Sequence, residues 1–291
     1  HQEEALGAII PALESGDRTT AVMACGTGKT LVTLWVAERM GSRLILVLLP
    51  SLALLRQTLH EWLCETTIEP LAYLCVCSDP TVTAGIDSAR TKQSDLDFQV
   101  LTDRQNVRDF LDKDFQGTKV VFSTYQSAPV VGSALKPGEA FELGIFDEAH
   151  KTAGRGGRNY AFALDDKNIL IRKRLFVTAT PRKYNPHKRD KDGDSSMVLS
   201  MDNPEIYGAQ SYTLSFSEAA DRGIICNYRV IVTVITSESV SAELLGRGDT
   251  EVHGDDIRSR QVANQIALWE AVSTYGVRKV FTCHRSIDCA A

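Results

Sequence analysis

The strongest constraint on the fold is a strand pattern that runs directly into a glycine-containing loop and then into a helix. Thr19–Ala24 is a run of mostly small and β-branched residues, and Lys29–Met40 has a helical pattern. Between them lies a loop of Cys25, Gly26, Thr27 and Gly28, and the helix begins with Lys29 and Thr30. Glycine tolerates the backbone conformations of a tight turn, so successive N–H groups can face one anion beside the positive helix end. We therefore expect this loop to bind a phosphate.

Two side chains after the glycines suit a nucleoside triphosphate and its metal ion. Lys29 would reach the β- and γ-phosphates, and the Thr30 hydroxyl would hold Mg²⁺. Met23 stands where the general G-x-x-x-x-G-K-[ST] pattern has its first glycine. The motif predicts ATP and Mg²⁺ as cofactors, with residues 25–30 in contact with the nucleotide. A chance glycine-rich turn is the alternative.

Apolar runs alternate with helical patterns along the chain, which is typical of an α/β fold with a parallel sheet. The runs are continuous, as in strands buried on both faces. The predicted strands are Thr19–Ala24, Leu44–Leu49, Leu71–Val76, Val120–Ser123, Leu143–Asp147 and Arg174–Thr178. The predicted helices are Lys29–Met40, Ser51–Cys64, Arg104–Leu111 and Tyr125–Ala134.

Two acids end one of these strands. Asp147, Glu148, Ala149 and His150 form a DEAH sequence after the run LGIF, and a strand end places them where open α/β sheets bind ligands. Asp147 would hold Mg²⁺, and Glu148 would orient and deprotonate the attacking water. We therefore predict Lys29, Asp147 and Glu148 as catalytic residues. A solvated acidic turn is the alternative.

A third polar motif follows the strand Arg174–Thr178. The hydroxyls of Thr178 and Thr180, in the sequence FVTATP, could bond to the DEAH loop and relay the state of the γ-phosphate. An ordinary strand-to-loop turn is the alternative. The three motifs occur in this order, each at a strand end, and this agreement favours a common site.

Together the motifs resemble those of DEAH-type superfamily 2 helicases, and most closely the branch of restriction-enzyme motor subunits. RLFVTATPRKY is typical of that branch. The resemblance implies a RecA-like P-loop domain, with Gln2 reading adenine and His150 joining the two threonines in coupling. It also implies nucleic-acid contacts in three further motifs, VLLPSLALLRQT, STYQS and FTCHR. The residues concerned are Pro50, Ser51, Thr124 and Arg285.

The resemblance also predicts how the chain is divided. Residues 1–222 would form the first motor domain, and residues 223–291 the incomplete start of a second RecA-like domain. Arg229–Thr236 and Lys279–Thr282 would be strands, and Asp255–Tyr275 a long helix. The arginine finger of such motors would then lie beyond Ala291. We expect the chain to be a piece of a longer protein that hydrolyses ATP slowly by itself.

The predicted function is an ATP-driven DNA helicase or translocase in the cytoplasm, without a membrane segment. An RNA helicase and a nucleotide-gated, non-motor subunit of a defence or restriction complex are alternatives. The net charge of −5 gives no global basic surface for nucleic acid, so backbone amides, hydroxyls and local basic residues would hold the phosphates. Seven cysteines without C-x-x-C spacing favour reduced thiols over a zinc site, with Cys75 and Cys77 on one strand face.

Overall fold

The computed structural model describes residues 1–77, 100–154, 160–184, 199–228, 256–276 and 279–280. The chain divides into two units, residues 1–226 and residues 227–291. The first unit contains the phosphate-loop, DEAH and TAT motifs. In the described residues no helix is long and apolar enough to cross a membrane.

The first unit is built on one parallel sheet. Its strands are β1 (Arg18–Met23), β2 (Leu44–Leu49), β3 (Leu71–Val76), β4 (Val100–Leu101), β5 (Thr118–Thr124), β6 (Phe141–Asp147), β7 (Ile171–Thr178) and β8 (Ala209–Leu214). They lie in the order β4-β3-β5-β2-β6-β7-β1-β8, and every neighbouring pair is parallel. The predicted α/β, RecA-like fold with a parallel sheet is confirmed, and all six predicted strands are present within three residues of the expected ends.

The helices of the first unit are α1 (Gln2–Ser15), α2 (Lys29–Met40), α3 (Leu52–Glu65), α4 (Arg104–Asp112), α5 (Ala128–Ala134), α6 (Pro204–Tyr207) and α7 (Phe216–Asp221). The predicted helix Tyr125–Ala134 is split, because Tyr125–Ser127 forms a 3₁₀ turn before α5 begins. The other three predicted helices are confirmed to within one residue.

Two hydrophobic cores lie on the two faces of the sheet, and β2 shows why the apolar runs are continuous. Ile45, Val47 and Leu49 pack into the core beneath α1, α2 and α3. Leu46 and Leu48 point the other way, into the core beneath α4 and α5. Because side chains alternate along a strand, a strand covered on both faces needs apolar residues at every position.

The predicted placement of two cysteines on one face is confirmed. Cys75 at the end of β3 and Cys77 beyond it are both buried in the core beneath α1, α2 and α3. Burial raises the pKa of the Cys75 thiol to about 12. A buried thiol with a raised pKa is uncharged and behaves as a small apolar side chain.

In the second unit the structure describes one helix, α8 (Asp256–Tyr275), which confirms the prediction of Asp255–Tyr275 to one residue. The predicted strand Arg229–Thr236 lies outside the described residues. Lys279 and Val280 have no regular structure, and the rest of the predicted strand Lys279–Thr282 lies outside the described residues. The start of a second RecA-like domain at residue 223 therefore stays a prediction.

Candidate nucleotide-binding site

The sheet order brings the three sequence motifs to one edge. β1 pairs with β7, with Val22 opposite Thr178, and β7 pairs with β6, with Val177 opposite Asp147. The three carboxyl ends are therefore level and adjacent. Loops that leave neighbouring parallel strands at this edge form the ligand crevice of open α/β sheets.

The glycine loop has the backbone that its sequence requires. Gly26 and Gly28 have φ of 81° and 80°, in the left-handed region that other residues avoid. The Thr27 hydroxyl donates to Ala24 O at 2.7 Å, which closes the turn from inside. Cys25 and Gly26 are exposed at its tip, whereas Lys29 and Thr30, the first residues of α2, are half-buried. The loop thus has the conformation that aims N–H groups at an anion.

The first two residues of the chain lie against this loop. The His1 ring Nε2 is 3.0 Å from Thr27 O. A β-carbon on Gly28 would lie 2.2 Å from Gln2 Nε2, so the Gln2 amide is in van der Waals contact with that glycine. Gln2 is thereby placed beside the loop, as the adenine-reading prediction requires, and its role stays a prediction.

Asp147 lies in an environment that disfavours its charge. Its carboxyl is surrounded by protein, and burial together with the nearby charge of Glu148 raises its pKa to about 6. A hydrogen bond from the Glu148 N–H at 2.9 Å and the charge of Lys29 act in the opposite direction. A half-buried carboxylate beside a second carboxylate is a favourable ligand for a divalent cation, because the ion compensates both charges.

Glu148 has φ of 49°, and it is the only non-glycine residue of the described chain with positive φ. Such a conformation is strained in a residue with a β-carbon, and it is found preferentially at functional sites. His150 lies 3.2 Å from the Glu148 carboxylate, and it is the main cause of a lowered Glu148 pKa. The charge of Lys29 also lowers the pKa of Glu148.

A hydrogen-bond chain joins the DEAH loop to the TAT motif. The His150 ring Nδ1 is 2.9 Å from the Thr178 hydroxyl as well as 3.2 Å from Glu148. Since a carboxylate can only accept, the proton belongs on Nδ1, and both contacts are then attractive. The Thr178 oxygen also accepts from the Thr180 N–H at 3.2 Å. The three residues predicted to couple the motifs are therefore connected, although Thr180 bonds through its backbone and its side chain is exposed.

Two tyrosines that the sequence analysis missed support this site. The Tyr125 hydroxyl donates to Asp147 O at 2.7 Å. The Tyr207 hydroxyl is 2.9 Å from the Thr152 hydroxyl, two residues beyond His150, and its carbonyl accepts from the Thr20 hydroxyl on β1 at 2.7 Å. Tyr207 thus ties the end of the DEAH loop to the strand that carries the glycine loop.

Three of the four predicted nucleic-acid contacts lie at the same sheet edge, after β2, which is paired with β6, and after β5, which lies one strand further along the sheet. β2 ends before Pro50, and Ser51 caps α3 by accepting from Leu54 N at 3.3 Å. β5 ends at Thr124, whose side chain is 2% exposed and bonds to the Ser127 hydroxyl at 2.9 Å. These bonds give Ser51 and Thr124 structural roles, and phosphate contacts stay a prediction. Arg285 lies outside the described residues.

A parallel α/β sheet with a glycine loop at a helix start and paired acids on a nearby strand end defines a RecA-like P-loop NTPase. The chain belongs to the family described as type III restriction enzyme, res subunit, whose family model matches residues 1–183.

Comparisons with individual proteins agree with this family. A structure titled "ATP-dependent Type ISP restriction-modification enzyme LlaBIII bound to DNA" matches with a TM-score of 0.70 and 28% identity, over 93% of this chain and 18% of that chain. A nuclease-deletion mutant of the Type ISP enzyme LlaGI, in complex with a DNA substrate mimic, matches with a TM-score of 0.59 and 26% identity, over 94% and 24% of the two chains.

Relatives by sequence include the probable helicase A859L of African swine fever virus. The protein of isolate Tick/Malawi/Lil 20-1/1983 is 26% identical over 253 residues, which are 86% of this chain and 25% of that protein. The protein of isolate Tick/South Africa/Pretoriuskop Pr4/1996 is 27% identical over 238 residues. The chain therefore spans about a quarter of the length of these relatives.

Proposed function

We propose that this chain is the ATP-binding part of an ATP-driven DNA translocase or helicase. The single observation that carries the proposal is the meeting of two motifs at one sheet edge. β1, which leads into the loop with Lys29, pairs with β7, and β7 pairs with β6, which ends at Asp147 immediately before Glu148. Separate strands bring these residues together, which a chance glycine turn and a chance acidic turn would not explain.

The residues present fit ATP and Mg²⁺. The backbone of residues 25–28 would hold the phosphates, Lys29 would contact the β- and γ-phosphates, and Gln2 would face the base. Thr30 and Asp147 would hold Mg²⁺, which supplies positive charge to the phosphates during transfer. The raised pKa of Asp147 supports this assignment, because a carboxylate whose charge is disfavoured gains most from a bound cation.

Glu148 would orient the attacking water and take its proton. Its pKa is lowered, chiefly by His150, so it is ionised at neutral pH and able to accept. The same His150 contacts Thr178, whose oxygen accepts from the backbone of Thr180. A change at the γ-phosphate that moves Glu148 would therefore be passed to the loop after β7.

DNA is the proposed polymer because the two structural neighbours described above are complexes with DNA and with a DNA substrate mimic. Pro50, Ser51, Thr124 and Arg285 are the proposed contacts. Residues 1–222 would act as the first motor domain and residues 223–291 as the start of the second, with restriction or defence subunits as partners. RNA remains the competing polymer, since every motif described here would serve either.

Single-turnover hydrolysis of radiolabelled ATP by the chain, with Mg²⁺ and either duplex DNA or duplex RNA, tests the proposal. We expect slow hydrolysis that DNA accelerates more than RNA does. Glu148→Gln should bind ATP but lose hydrolysis by about 10²-fold or more. Glu142→Gln is the matched control, because Glu142 lies at the opposite end of the same strand, where it accepts from Arg43 N. Equal hydrolysis by the Glu148 variant, or stimulation by RNA alone, would contradict the proposal.

A further inference from the structure

The chain from β8 to the end of the first unit, residues 209–226, comes back to the glycine loop and is called the returning segment below. β8 lies beside β1, and Ala24 N donates to Leu214 O at 2.9 Å. Ala24, Leu214 and Ala219 form a small buried cluster of their own, with Ile225 packed against it. A β-carbon on Gly26 would lie 3.7 Å from Ile225 Cγ2. The last residues of the unit therefore contact the phosphate loop directly.

The same returning segment also holds the first turn of α1. The Arg222 guanidinium donates to both oxygens of Glu4, at 2.7 and 2.9 Å. This geometry is a bidentate ion pair, which fixes orientation as well as distance. Arg222 is the leading cause of a lowered Glu4 pKa. The Tyr212 hydroxyl donates to His1 O at 3.1 Å and fastens the residue that precedes the helix.

The clamped turn is the one that carries Gln2. Gln2 lies between His1 and Glu4 in sequence, and its amide is already in contact with Gly28. A side-chain amide offers one donor face and one acceptor, which matches the N6 donor and N7 acceptor of adenine. Guanine presents two acceptors at the same edge, so the amide oxygen would meet O6 with no hydrogen between them.

We propose that Arg222, paired with Glu4, is a positioning residue that sets the preference of the site for ATP over GTP by holding Gln2 above the phosphate loop. This inference rests on the proposed ATP site. Arg222 does not touch the nucleotide in this proposal and acts through the first turn of α1. The contribution is modest, because the pair is exposed to solvent and such pairs are worth little individually.

The experiment measures the dissociation constants of MgATP and MgGTP for the chain and its variants by fluorescence competition. Arg222→Gln and Glu4→Gln should each weaken ATP binding by about two- to five-fold and leave GTP binding unchanged. The double variant should be no weaker than either single variant, because each single change already breaks the Glu4–Arg222 pair, and the other contacts of these residues, to Glu218 at 3.4 Å and to the His1 amine at 3.9 Å, are longer. In a Gln2→Ala background, Arg222→Gln should have no further effect on ATP.

Arg39→Gln is the matched control. Arg39 donates to both oxygens of Glu3, at 2.9 and 3.0 Å, so it pairs with the neighbouring residue of the same helix turn. It attaches that turn to α2 rather than to the returning segment. Arg39→Gln should leave the ratio of ATP to GTP affinity unchanged. A general loosening of α1 would instead change the ratio in both variants, and that result would overturn the proposal.

Lys29→Ala separates the two levels of the proposal. If Lys29→Ala abolishes binding of both nucleotides and Arg222→Gln lowers only ATP affinity, both the site and the positioning role are supported. If Lys29→Ala abolishes binding but Arg222→Gln weakens ATP and GTP equally or neither, the positioning role is wrong and the site stands. If Lys29→Ala binds both nucleotides normally, the proposed site itself fails.

Discussion

Replacing Asp147 with Asn should stabilise the nucleotide-free protein at neutral pH. The pKa of Asp147 is raised from 3.8 to about 6, so the folded protein holds this proton more tightly than the unfolded chain does. Stability from this residue therefore falls as pH rises between these two values, and the full penalty is present above pH 6. At about 1.4 kcal/mol per pKa unit the penalty is about 3 kcal/mol.

Asparagine removes that penalty because it resembles the protonated acid. Its Oδ1 can keep the hydrogen bond from Glu148 N, which is 2.9 Å in the native protein. An unpartnered amide nitrogen would offset about 1 kcal/mol or more, so the expected net gain at neutral pH is about 1–2 kcal/mol. The gain should shrink as the solution is acidified, since the native carboxyl then becomes protonated as well.

Urea unfolding in EDTA measures this effect for both proteins at about pH 4.5 and about pH 7.5. The free energy of unfolding of the variant minus that of the native protein should grow by about 2 kcal/mol from the lower to the higher pH. Carboxyls with a lowered pKa, such as Asp112 and Glu139, stabilise the folded protein less as the solution is acidified. Because this happens in both proteins, their contribution cancels in the difference. With MgATP bound, the native protein should be the more stable of the two, because only its Asp147 carboxylate gains from the bound ion. A difference that is independent of pH would refute the assigned environment of Asp147.

Two further substitutions, one of them with a matched control, test the loop and its support. Gly28→Ala would place a methyl group 2.2 Å from Gln2 Nε2 at φ of 80°, so Gln2 must move away, and ATP binding should weaken in a fluorescence titration. The control Gly41→Ala, at φ of 61° with nothing within 4 Å, should cost about 1 kcal/mol of stability and leave binding intact. Tyr207→Phe removes the bond to the Thr152 hydroxyl and should lower the free energy of unfolding by about 1 kcal/mol in thermal or urea unfolding. Normal ATP binding by Gly28→Ala, or unchanged stability of Tyr207→Phe, would contradict these contacts.

The sequence predicts the central sheet well because its strands are covered on both faces. β2 is apolar at every position, and such a run can be recognised without knowing its neighbours. β8 is different, since it lies at the sheet edge and three of its six residues are exposed. Its AQSYTL sequence has no apolar run, and its pairing with β1 depends on a chain return that no local pattern specifies. β4, with two residues, was missed for the same reason.

The same distinction between local patterns and long-range contacts holds at the site. Lys29, Asp147 and Glu148 are predictable because the loop and acid motifs carry their chemistry in adjacent residues. The contributions of Tyr125, Tyr207 and Arg222 are not, because each depends on a contact between distant parts of the chain. Arg222 and Glu4, for example, are 218 residues apart. The missed helix α1 contains Pro11, which lowers the helical signal of the segment that carries Gln2.

The meeting of the lysine of the glycine loop with the acids of β6 around one bound metal nucleotide is tested most directly by ATP affinity with and without Mg²⁺. Lys29→Ala should weaken ATP binding in both conditions, because the lysine contacts the phosphates themselves. Asp147→Asn should weaken ATP binding only when Mg²⁺ is present. The variant's ATP affinities with and without Mg²⁺ should therefore be nearly equal. An Asp147→Asn protein whose ATP affinity responds to Mg²⁺ as the native protein does would contradict the shared site.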